Sequence, residues 1–145
     1  MRLNLHTDFG LRALMFLGSR PDDWITTAEM ARTLGIPRNH LLKVVSRMIE
    51  LGWVAAKRGP SGGVRFEPGT TAVSVGEIVR GLEHKLALVE CFDPQTNTCP
   101  IAGACLLAPL LYRARGAFMA ELDAVQVGEL VASVRVPSAS PGASG

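Results

Sequence analysis

At 145 residues, with 48% hydrophobic and 19% charged side chains, the chain has the material for one cored domain with an appendage and is too short for a large enzyme barrel. Fifteen Lys and Arg against thirteen Asp and Glu leave a net charge of +2, so a nucleic-acid surface has to come from local clustering rather than bulk charge. No apolar run approaches the about 18 residues that cross a bilayer, and the stretch Leu11–Leu17 holds Arg12 and lacks the marks of a secretory signal, so a cytoplasmic protein without a membrane partner is expected.

Leu11, Leu14, Met15 and Leu17 recur at helical spacing after Thr7-Asp8, with Gly18 as a stop, and predict a first helix. The polar link from Ser19 to Trp24 leads to Thr26-Thr27-Ala28-Glu29. There Thr26 is placed to cap a short second helix, Glu29 to reach back to the cap, and Gly35 to close it. Pro37 suits the first position of a third helix, because the N–H it lacks would be unpaired there anyway. That helix runs to about Leu51 and stops at Gly52. Within it Leu41, Leu42, Val45, Met48 and Ile49 form an apolar stripe, while Asn39, Lys43, Ser46, Arg47 and Glu50 share the opposite face.

Trp53 to Arg58 and Val64 to Phe66 read as two short strands around the turn Gly59-Pro60-Ser61-Gly62-Gly63. Three helices followed by a hairpin is the layout of a winged helix-turn-helix, whose third helix enters the major groove beside the hairpin. The fold class is therefore mainly α with a small β-hairpin wing, with residues 1–82 as the DNA-binding domain. Candidate DNA contacts are Thr26, Arg38, Asn39, His40, Lys43 and Arg47 around the third helix, and Lys57, Arg58 and Arg65 on the hairpin. Ser61, Gly62 and Gly63 offer backbone amides, although a plain turn explains them equally well. The bland alternative for the helix residues is a solvated face.

A second capping box, Ser74-Val75-Gly76-Glu77, opens a helix that turns Val75, Ile78, Val79 and Leu82 inward. Residues 83–104 follow as a loop, since Asp93, Pro94, Asn97, Thr98, Pro100 and Gly103 resist regular structure. It carries Cys91 and Cys99, with Cys105 just beyond. Three cysteines within fifteen positions argue against a disulfide framework and for ligands or redox thiols. From Ala104 to about Leu122 a helical pattern resumes, with Leu107, Leu111, Ala114, Phe118 and Leu122 on one stripe; Pro109 either kinks it or marks its true start. So long a stripe on so small a chain predicts packing against a second copy, a homodimer, with residues 105–135 holding the dimerisation helix and a C-terminal helix. Residues 136–145, composed of Pro, Ser, Ala and Gly from Pro137 onward, are expected to be disordered. No phosphate-binding glycine loop, catalytic carboxylate pair or His–Cys setting marks an enzyme.

Five segments together are specific: Thr7-Asp8-Phe9-Gly10-Leu11-Arg12-Ala13-Leu14; Arg38-Asn39-His40-Leu41-Leu42-Lys43-Val44; Arg58-Gly59-Pro60-Ser61-Gly62-Gly63-Val64; Cys99-Pro100-Ile101-Ala102-Gly103-Ala104-Cys105-Leu106; and Val127-Gly128-Glu129-Leu130-Val131. In this order, over residues 1–132, the chain resembles the Rrf-two family of bacterial winged-helix regulators, and within it the NsrR-type branch of nitric-oxide-sensing repressors. The resemblance implies a homodimeric transcriptional repressor on a pseudo-palindromic, A·T-rich operator. It also implies one iron–sulfur cluster per subunit, 4Fe-4S favoured and 2Fe-2S possible, on Cys91, Cys99 and Cys105. The fourth ligand of that branch, an aspartate from the other subunit, falls on Asp8.

The histidine ligand of the IscR branch would fall on Ala108, so the likeness is to the NsrR type. The seven residues between Cys91 and Cys99 exceed the spacing common there. Arg58 matches the family's minor-groove arginine. Competing readings are a structural zinc on the three cysteines and a fourth donor, a thiol-redox regulator of the same fold, cysteines as small core fillers, and Asp8 as a helix cap. His6, His40 and His84 are scattered, and His84 lies near the cysteine loop.

Overall fold

A computed structural model describes residues 2–135, so the expected disorder of residues 136–145 lies outside the described residues. The first helix, α1 (Leu5–Gly18), starts earlier than its hydrophobic period suggests, because Asn4 caps it: the Asn4 side chain accepts from the Thr7 N–H at 2.8 Å. Asp8 therefore does not cap the helix. It sits in the first turn, and its carboxylate meets Arg12 at 2.6 Å. In α2 (Thr27–Leu34) Thr26 does cap, accepting from the Glu29 N–H at 3.1 Å, whereas the Glu29 carboxylate turns away to Arg20 at 3.6 Å.

α3 (Arg38–Glu50) is preceded by Pro37, which stands at the cap rather than at the first helical position. Its inward face is Leu41, Val44, Val45 and Met48, the i, i+3, i+4, i+7 set. Leu42 and Ile49, expected inward, lie at the edge of that arc and are 46% and 39% exposed. The wing pairs β1 (Val54–Lys57) antiparallel with β2 (Gly63–Phe66), Val54 opposite Phe66 and Lys57 opposite Gly63. Ile25 adds a bridge to Val64, which fastens the wing to the entry of α2.

A 3-10 turn at Pro68–Ala72 leads to α4 (Val75–Leu82), capped by Ser74, with Val75, Ile78, Val79 and Leu82 all buried as the pattern predicts. The loop that follows contains one 3-10 turn, Glu90–Phe92. The long helix, α5 (Leu107–Asp123), begins beyond Ala104, and Pro109 falls in its first turn, where no helical N–H is lost. Asp123 at its end takes a two-pronged hydrogen bond from Arg80 of α4, which holds that carboxyl below its usual range. The chain returns through α6 (Val127–Ser133), whose Val127 joins the core and whose Val131 packs on Gly18 of α1.

α1 is the centre of the molecule, with Ala13, Leu14, Phe16 and Leu17 buried among Met30, Leu41, Met48, Phe66, Ile78 and Leu82. α5 is the opposite case. Met119 is its one buried residue, while Leu107, Leu110, Tyr112 and Phe118 are exposed. Of the stripe predicted for it, Leu107, Ala114 and Phe118 face outward, and Leu111 and Leu122 are half-buried within the chain.

Candidate nucleic-acid interface and cysteine pocket

On the outer face of α3 the side chains of Arg38, Asn39, His40, Lys43 and Ser46 are exposed. Among the described residues no acidic group pairs with Arg38, Lys43 or Arg58. Arg47 is different. Its Nε donates to the Gly81 carbonyl at 3.2 Å and its Nη1 to Glu50 at 3.0 Å, so it ties α3 to α4 instead of standing on the free face. His40 leans toward the Phe9 ring of α1, 6.1 Å between centroids. Thr26 is exposed but already committed as a cap.

The hairpin carries Lys57 and Arg58 at the end of β1 and Arg65 on β2. Sequence reasoning missed Trp24, whose ring lies 4.5 Å from the Arg65 guanidinium and 5.7 Å from the Lys57 ammonium. A ring face attracts both cations and aims them together. The signal was a tryptophan one residue before the bridge-forming Ile25, and nothing in its local spacing reveals the partners. Ser61 is exposed at the tip.

Gly62 is buried, and its N–H already donates to the Gly59 carbonyl at 2.9 Å, so that amide is not free for a phosphate. A Cβ there would sit 2.1 Å from the Lys57 carbonyl oxygen. Gly63 has φ +150° and lies against the Ile25 backbone. These glycines permit a close crossing of backbones at the root of the wing.

The three cysteines, each half-buried and free, line one concavity of about 560 Å³ at the foot of α5, together with Glu90, Thr98, Pro100, Ile101, Leu107, Ala108 and Leu111. The loop is held in shape by its own bonds. The Glu90 carboxylate accepts from both the N–H and the hydroxyl of Thr98, each at 2.9 Å, which lowers its pKa, and Asn97 accepts from the Cys99 N–H at 3.0 Å.

Arg115 of α5 stacks on Phe92 and Tyr112, at 5.0 and 4.9 Å, and donates to the Leu86 carbonyl at 3.3 Å, so the loop is clasped to the helix. Glu90, Phe92 and Arg115 were not singled out in the sequence, since an isolated acid, aromatic and cation carry no pattern. Asp8 lies on α1 and is not among the residues lining the pocket. His84 does not line it either. It packs on His6, 5.6 Å between centroids.

Three thiols converging on an aliphatic-walled concavity are the donor set that iron and sulfide take. Among the described residues, no three His, Cys, Asp or Glu side chains close on a single-ion site. A cluster, which spreads its thiolates over more than one iron, fits thiols spread around a pocket. No helix among the described residues is long and apolar enough to cross a membrane.

The fold and sequence have known counterparts. The chain is similar to the HTH-type transcriptional regulator NsrR of Bacillus subtilis, 39% identical over 132 residues, covering 90% of each chain. Among solved structures it is similar to CymR, the global cysteine regulator of B. subtilis, with TM-score 0.72 and 22% identity over 93% of this chain and 99% of that one. It is likewise similar to T. potens IscR, with TM-score 0.73 and 15% identity over 98% and 94%. The model of the Rrf2 iron-dependent transcriptional regulators matches residues 3–133. A wing beside a basic helix, a cysteine pocket at the root of a long and largely exposed helix, and a match running through all of them have one reading: the chain belongs to the Rrf2 family of transcriptional regulators.

Proposed function

We propose that this regulator is a homodimeric, DNA-binding repressor that responds to nitric oxide through an iron–sulfur cluster held by Cys91, Cys99 and Cys105 and by Asp8 of the partner subunit. The observation that carries the reading is the meeting of all three cysteines at one pocket. The 39% identity to a protein named NsrR supports it. When bound, the cluster held by these residues would supply iron able to take up nitric oxide. Everything else is done by the chain's own side chains.

Asp8 is free for such a role, because Asn4 has taken the cap and a surface i, i+4 pair with Arg12 is worth only about 0.3–0.5 kcal/mol. The exposed Leu107, Leu110 and Phe118 of α5 are the surface a second copy would cover. Arg38, Asn39, His40 and Lys43 would enter the major groove. Arg58 would enter a minor groove, and Lys57 and Arg65, aimed by Trp24, would meet phosphates. Loss of the tie to Asp8 of the partner subunit would let the two reading heads leave the half-site spacing of about 34–36 Å, and the operator would be released.

The test is an absorption spectrum of anaerobically purified protein, with iron, sulfide and zinc assayed on the same sample before and after nitric oxide. Matched iron and sulfide with visible absorption that nitric oxide bleaches is the expected result. Stoichiometric zinc in a colourless protein would overturn the reading. Asp8→Ala should retain iron but lose it faster in air.

A further inference from the structure

We propose that Leu42 reads a thymine, by placing its side chain against the C5 methyl group in the major groove; this rests on the DNA-binding reading above. Leu42 stands in the second turn of α3 and is 46% exposed. It is not needed by the core, whose share of the helix is filled by Leu41, Val44, Val45 and Met48. Its neighbours one helical turn away are Arg38, Asn39 and Ser46, all exposed, and the buried Val45; Lys43, also exposed, follows it. The apolar side chain therefore stands at the rim where the buried arc meets the polar and basic face that would meet base edges, in the N-terminal half of the helix, the half that reaches them in helix-turn-helix proteins.

The charges choose the occupant. Arg38 and Lys43 have no acidic partner among the described residues, and Glu50, the acid of this helix, is engaged by Arg47. Such a ring repels a second copy of the same face and attracts a phosphate-bearing polymer. Of the four bases, only thymine offers a methyl group in the major groove, where the other edges offer donors and acceptors that a leucine cannot match. The nearest other exposed apolar group on α3 is Ile49, about 10 Å farther along the axis at 1.5 Å per residue, toward the end that leaves the groove.

The test uses the full chain and a randomised duplex pool. The enriched sequence is found first. Each thymine in it is then replaced by deoxyuridine, which removes only the methyl group, and Kd is measured for the parent and for Leu42→Ala. For the parent, uridine at one symmetric pair of positions should weaken binding about four-fold per half-site, the worth of one apolar group withdrawn from water. For Leu42→Ala, binding to the thymine duplex should be weaker by a similar factor and the uridine effect at that pair should vanish. Leu42→Gln should shift the preferred base there toward adenine, whose edge a glutamine matches.

If Leu42→Ala enriches the same sequence and keeps the parent's sensitivity to uridine at every position, Leu42 is not a reader, although the DNA-binding reading survives. A pool from which the parent enriches nothing over random sequence overturns both. A changed monomer–dimer equilibrium with unchanged DNA affinity overturns the assignment in favour of a contact between copies.

Discussion

Glu83 holds the start of α1 to the end of α4, and its removal has a size that can be worked out from the structure. Thr7 is fully buried, and its hydroxyl donates to the Glu83 carboxylate, whose other oxygen accepts from the Asn4 N–H at 3.3 Å. Glu83→Ala leaves the Thr7 hydroxyl without a partner where water does not reach, at a cost of about 1–3 kcal/mol. At an unfolding entropy of about 2.1 cal/mol/K per residue, that lowers Tm by about 3–10 °C for a chain of this length. Glu83→Gln keeps an acceptor but loses the charge, so it should fall between the two, since charge-assisted bonds are about twice as strong as neutral ones. Thermal unfolding followed by circular dichroism gives the shifts, and hydrogen exchange should show faster opening at the first turn of α1 in the alanine variant. A Glu83→Ala protein that melts within about 1 °C of the parent, with unchanged exchange at that turn, would refute the reasoning.

Gly62→Ala drives a Cβ onto the Lys57 carbonyl and should cost about 1–3 kcal/mol, seen as a lower Tm together with weaker DNA binding as the wing shifts. Lys43→Ala should leave Tm unchanged and reduce the slope of log K against log salt by about 0.9. Arg47→Ala should do the reverse, lowering Tm by loss of its bond to Gly81 while the salt slope stays. Burial, reinforced by His84 and Arg47 and opposed by Glu83, holds the His6 imidazole below its usual range, and its Nε2 is buried without a partner among the described residues. The unfolded chain therefore takes up that proton first. Stability is insensitive to this group above its unfolded pKa of about 6.5 and falls as pH drops below it, until folded His6 protonates as well. Melting curves between about pH 7.5 and 5.5 should show His6→Phe losing less stability than the parent.

The elements with strong periods and caps were legible in the sequence: Thr26 and Ser74 cap where predicted, and α4 buries the four residues expected of it. Reading failed where two candidates competed for one local role. Asn4 and Asp8 both suit a helix start, and in the structure Asn4 takes the cap while Thr7 of the first turn bonds to the distant Glu83, a partner no local reading supplies. It failed again at the edges of α3, because a stripe counted in threes and fours cannot tell an inward leucine from one at the rim, and Leu42 and Ile49 fell outside. The cysteines were found because three in fifteen positions is a pattern. Arg115 and Trp24, which shape the pocket and the wing, act on Phe92 and Arg65 far away in sequence, and Glu90 acts on Thr98 across an eight-residue loop that has no period to follow.

Arg47, read from the sequence as a DNA contact, is bonded in the structure to the Gly81 carbonyl at the end of α4, two residues before Glu83. The start of the cysteine loop is thereby gripped twice, once by α3 through Arg47 and once by α1 through Thr7 and Asn4. At Leu86 and Phe92 the same loop is clasped to α5 by Arg115. A change in the loop therefore meets three fastened points rather than free solvent. Because packed interiors switch between arrangements instead of deforming smoothly, it would have to move α3 and α5 relative to each other or leave both where they are.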